Sequence, residues 1–100
     1  MKKILSILTL CSIITTPVFA YSNADIDRLT TLAVMYGRAT ACGANLDVQM
    51  RSTQNWLNRT FGAEAALYTM IFAQGLQDHA IRQKEGRTPD SCSTVLRNLK

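Results

Sequence analysis

SNADIDRLTTLAVMYGRATACG, residues 22–43, reads as one amphipathic helix and decides the fold class of this chain. Ser22 or Asn23 can accept from the free amides of a first helical turn, and Asp25 and Asp27 suit the positive end of the helix dipole. Ile26, Leu29, Ala33, Tyr36 and Thr40 then recur at helical spacing, with Leu32, Met35 and Ala39 alongside. Gly43 stands where a left-handed residue ends a helix at no steric cost. The spacing predicts a helix of about nineteen residues that stops near Cys42.

Downstream the pattern repeats. Asn45 is the next expected N-cap, followed by Leu46, Met50, Thr53, Leu57 and Phe61 on one face with Trp56 beside them. Asp47 and Arg51 are spaced to pair on the wet side, and Gly62 marks the stop. A third helix is expected from Glu64 to Glu85, with Leu67, Tyr68, Ile71 and Gly75 facing the core and Gly86 just beyond its end. Arg82 and Lys84 sit at its negative end, and Asp78 is spaced to pair with Arg82. Thr88-Pro89 offers an N-cap and N1 residue for a short last helix with Cys92, Val95, Leu96 and Leu99 on one face. No stretch alternates with period two, so strands find no support. The expected fold is all-α: a small antiparallel bundle of about four helices, residues 21–100, forming a single domain.

Upstream, residues 1–20 have the form of a cleaved signal peptide. Lys2-Lys3 supply the positive start, Ile4 to Ile14 the apolar run, and Val18-Phe19-Ala20 the small-residue site, which places the cut before Tyr21. That run is far short of the roughly twenty residues a helix needs to cross a bilayer. The expected location is therefore periplasmic or secreted, with no stable membrane anchor after cleavage. Loss of the leader removes Cys11 and leaves Cys42 and Cys92, an even pair in an exported small domain and hence a disulfide. Closing a loop of that length is worth roughly 4 kcal/mol in the chain-entropy treatment. That matters in a chain of 100 residues, of which the leader takes a fifth. The formal net charge of +4 falls to about +2 when Lys2 and Lys3 leave, so the basic balance belongs partly to the leader.

The chemistry-bearing residues are few, and each has a structural use. His79 is the sole histidine and the two mature thiols are spoken for, so no Cys–His nucleophile is assigned. Cys42, Cys92 and His79 lack the close spacing of a zinc site. The acids sit at helix starts or opposite basic partners, and no glycine-rich loop could cradle phosphate. His79 is read as a partly buried, hydrogen-bonded residue. Catalytic residues, metal ligands and cofactors are thus not expected. Arginines are spread along every segment and interleaved with acids, which does not make the clustered stripe of a nucleic-acid binder.

A second periodicity runs through the third helix. Ala66, Met70, Ala73, Gln77 and Ala80 recur at helical spacing on a side where an amphipathic surface helix would carry charge. Either that helix is central and buried all round, or small residues with one adaptable Met form a docking strip for a protein partner or a second copy.

A short Lys-Lys leader, a helical domain of roughly 80 residues and one cysteine pair resemble the small exported accessory proteins of plasmid conjugation and type IV secretion regions. The features carrying this are Cys42-Gly43 after the first helix and the Pro89-x-x-Cys92 opening of the last. The layout is also similar to that of periplasmic acid-stress chaperones, which hold a comparably spaced cysteine pair. Those are rich in lysine and their first cysteine opens a helix, whereas Cys42 closes one. The resemblances imply a non-enzymatic module that binds another protein, as a secretion or conjugation accessory. The alternative is a chaperone or an inhibitor, such as an immunity protein.

Overall fold

The computed structural model describes residues 21–99. The leader expected at residues 1–20, with Cys11 and the cut after Ala20, lies outside the described residues, as does Lys100. Four α-helices follow one another: α1 (Asn23–Ala41), α2 (Asp47–Phe61), α3 (Ala65–Lys84) and α4 (Cys92–Asn98), with a 3-10 turn, Gly62–Glu64, between α2 and α3. The described residues contain no strand.

The ends of the helices show how local chemistry sets them. At α1, Ser22 Oγ accepts from the Asp25 amide at 3.3 Å while Asp25 Oδ2 accepts from the Ser22 amide at 2.9 Å, so two orphan donors are satisfied reciprocally. Asn45 acts one residue before the α2 cap position, where its side-chain oxygen accepts from the Asp47 amide at 3.1 Å. Gly62 ends α2 at φ 52, ψ −118, a conformation that excludes a side chain, and so turns the chain directly into α3. The last helix starts later than Thr88-Pro89 suggests. Ser91 is its cap, accepting from the Thr94 amide at 3.4 Å, because the Thr88 hydroxyl is turned back to Gln83 Oε1 at the end of α3. The expected Asp78–Arg82 pair forms at 3.0 Å, whereas no Asp47–Arg51 ion pair forms among the described residues.

Contacts between helices fix their directions. Tyr21 meets Tyr68, and Gly37 faces Leu76 and His79, so α1 and α3 run parallel. Tyr21 also stacks near Phe61, and Arg28 lies 4.8 Å over the Trp56 ring, which runs α2 antiparallel to both. The Cys42–Cys92 bridge ties the end of α1 to the start of α4, so α4 returns along α1. Successive helices therefore alternate in direction, and the principal pair is α1 with α3.

That pair meets at very small residues. A Cβ on Gly37 would lie 2.4 Å from the Leu76 carbonyl oxygen, and one on Gly75 would lie 3.3 Å from the Ala33 Cβ. The main core then gathers Leu29, Ala33, Trp56, Leu57, Phe61, Ala65 and Phe72. A second cluster joins Ala39, Leu46 and Val95, with Cys42 and Leu99 packed on it. Thus α4 covers the Met35/Ala39 flank of α1 and meets α3 at its first residue, where Gln83 Nε2 donates to Cys92 Sγ at 3.8 Å.

Candidate functional site

The disulfide is the first element that positions the surface. Cys42 and Cys92 are bonded with 5.4 Å between their Cα atoms. Cys92 remains exposed although its helix packs inward through Val95. This bond holds a seven-residue helix that is too short to be stable in isolation.

The second element is α3. Its inward side is Ala65, Tyr68, Phe72, Gly75, Leu76 and His79. Leu67 and Ile71, expected to face the core, instead point outward. They are 52% and 45% exposed, with Met70 at 61% and Ile81 at 53%. The close approach of Gly37 to Leu76 and His79 turns that side of α3 onto α1, which leaves Leu67 outside the contact and Ile71 at its edge, beside Leu29 and Thr30. Of the five strip residues, Ala66, Met70, Ala73 and Gln77 are exposed and Ala80 is half-buried, so α3 is not buried all round. The physical reason lies in the number of neighbours. α1 and α2 cover one half of α3, and α4, held on α1 by the disulfide, leaves the other half open.

The open half has no charge along most of its length. From Ala65 through Gln77 every residue is uncharged. Ala73 and Gln77 also border a groove of about 430 Å³ between α3, α2 and the end of α1. Its floor is Met50, Leu57, Phe72 and Leu76, and its rim includes Thr40, Gln54 and Thr69, with no charged residue in the lining. Gln54 Nε2 donates to Thr69 Oγ1 at 3.1 Å and bridges α2 to α3 there. Such a surface offers burial and a few hydrogen bonds, not acid–base chemistry.

His79 is half-buried, as its position on the apolar side of α3 suggests, but its Nδ1 is buried with no hydrogen-bond partner among the described residues. It lines a small cavity of about 110 Å³ with Thr30, Phe72 and Gly75. The described residues bring no three His, Cys, Asp or Glu side chains together in a group able to hold a metal ion. No described helix is long and apolar enough to cross a membrane.

At the other end, Tyr21 docks on the aromatic cluster. Its hydroxyl lies 2.7 Å from that of Tyr68, and its ring centroid is 4.9 Å from Phe61. The Tyr21 phenol is pushed up from 10.0 to about 12, first by the hydrogen bond with Tyr68, then by desolvation and the charges of Tyr68 and Glu64. Sequence periodicity carries no signal for this pair, which forms only when α1 and α3 lie side by side.

No protein-family model, no curated protein and no solved structure matches this chain.

Proposed function

We propose that this chain is an exported, disulfide-stapled, non-enzymatic helical module that works by binding another protein through the outward face of α3, as an accessory component of a secretion or conjugation apparatus. The observation that carries the reading is the uncharged outer side of α3, with Leu67, Met70 and Ile71 between 45% and 61% open to solvent. A lone exposed Leu needs no explanation, but several on one uncharged helical side make a contiguous apolar surface of the kind that marks interaction sites. Met70 adds an unbranched side chain that adapts to its partner. The Cys42–Cys92 bond supports export, since such bonds persist in oxidising compartments.

Charge placed on that face separates binding from folding. Met70→Glu and Ala73→Glu put a carboxylate on exposed positions, so each variant should melt within about 0.5 kcal/mol of the parent protein. Each should also lose co-purification with the partner from the envelope of the producing cell. Unfolding of both variants, or full retention of the complex by both, overturns the reading.

A further inference from the structure

A second cleft lies away from α3, between the last turns of α1 and α4. It has a volume of about 260 Å³ and is lined by Met35, Arg38, Asp90, Val95, Asn98 and Leu99. Met35, Val95 and Leu99 form its apolar side, and Asp90 and Asn98 stand at its polar side. That polar side also holds Arg38, whose side chain is only 22% exposed. Arg38 Nη1 stands 3.8 Å from Asp90 Oδ2, beyond hydrogen-bond distance, and Nε is buried without a partner. Among the described residues, the Arg38 side chain makes no hydrogen bond. A largely buried guanidinium whose Nε has no partner, and whose nearest carboxylate stands outside hydrogen-bond distance, is an uncommon arrangement, because such groups are normally hydrogen-bonded.

The backbone that carries Asp90 is held beside Arg38. Its carbonyl accepts from Gln83 Nε2 at 3.0 Å, and two residues later Cys92 is bonded to Cys42. The segment is held at both points, which keeps Asp90 at the rim of the cleft.

From this geometry we infer that the cleft binds a small carboxylic acid with a short aliphatic tail. The carboxylate would take the free Nη donors of Arg38, with the Asn98 amide beside them, and the tail would lie on Met35, Val95 and Leu99. A planar oxyanion matches the guanidinium fork. A phosphate dianion is disfavoured, since Asp90 contributes a negative charge at the rim and Asn98 is the one other polar side chain in the lining. The same Asp90 charge lowers the affinity for any anion, so binding is modest.

Hexanoate is the probe, titrated into the full purified protein and followed through amide chemical shifts, with hexanol as the neutral control. Saturable shifts are expected around Met35–Ala39 and Val95–Leu99, with hexanol weaker by about tenfold or more, the value of a charge-assisted pair. Arg38→Gln should weaken hexanoate by a similar factor. Asp90→Asn, at a rim position, should tighten it by removing the competing charge. That arm also decides the matter if Arg38→Gln does not fold. Absence of saturation, equal binding of hexanol, or weaker binding by Asp90→Asn overturns the assignment.

Discussion

Gly37→Ala tests the packing that places every other element. Two opposing effects meet there. Alanine in a helix interior is better than glycine by about 1 kcal/mol, so the substitution stabilises α1 on propensity alone. Against this, the new Cβ would lie 2.4 Å from the Leu76 carbonyl oxygen and 3.0 Å from the His79 Cβ. A close carbon–oxygen approach is about 3.3 Å, so α1 and α3 must separate by about 0.9 Å. The obstacle is backbone, so no side-chain rotation relieves it, and the whole α3 surface shifts. Separation on that scale forfeits a quarter to a half of each affected contact, including Ala33 on Gly75 one turn away. Overpacking of this kind costs about 1–3 kcal/mol, and the rigidity of the obstacle places Gly37→Ala at the upper end, beyond the propensity gain. The net expectation is a loss of about 2 kcal/mol, read as a melting temperature lowered by about 4–8 °C for each kcal/mol in a domain this small. Thermal and urea unfolding followed by far-ultraviolet circular dichroism measures it. Gly75→Ala is the internal control, because its new atom meets only the Ala33 methyl at 3.3 Å. It should stay within about 1 kcal/mol of the parent in either direction. A Gly37→Ala protein that melts at or above the parent refutes the close α1–α3 crossing.

Three further outcomes follow from named contacts. Cys42→Ser should lower stability by about 2–5 kcal/mol and release α4, read by urea unfolding and by loss of protection of the Cys92–Asn98 amides. The raised phenol of Tyr21 means that the folded state holds its proton longer than the unfolded chain. The stability it contributes is therefore fully present below pH 10.0 and is lost as pH rises towards about 12, with tyrosinate absorbance as the readout and Tyr68→Phe removing the largest part of the shift. Ser22→Ala removes half of the reciprocal cap on α1 and should cost about 0.5–2 kcal/mol in the same unfolding assay.

Residue pattern was enough to place the α-helices but not to orient all of them. For α1 and α2 the inward side is legible, because polar residues flank a single apolar stripe. Leu29 and Ala33 are buried in α1, and Trp56, Leu57 and Phe61 in α2, where spacing puts them. The pairing of Cys42 with Cys92 is legible from cysteine count and compartment. On α3 the pattern is degenerate, since Leu67, Met70, Ile71, Phe72 and Leu76 supply apolar residues on several sides and periodicity cannot choose among them. The choice is made by Gly37, a residue on another helix that contributes no hydrophobicity to any pattern. The start of α4 was displaced for a similar reason, because Thr88 bonds Gln83 across the loop instead of capping its own helix. The Arg38 cleft was hidden for a third. Its walls come from α1, α4 and the loop before α4, and the disulfide together with the packing of Val95 on Ala39 brings them over Met35.

The central claim is that the outer face of α3 is where this protein meets its partner. Site-specific photocrosslinking in the producing cell tests it directly, with the reactive residue placed in turn at Leu67, Met70 and Ile71 on that face and at Asp27 and Arg51 on exposed positions of α1 and α2. The account predicts one discrete adduct, shared by the three α3 positions and absent from the other two. Equal crosslinking from all five positions, or adducts only from Asp27 and Arg51, would contradict it.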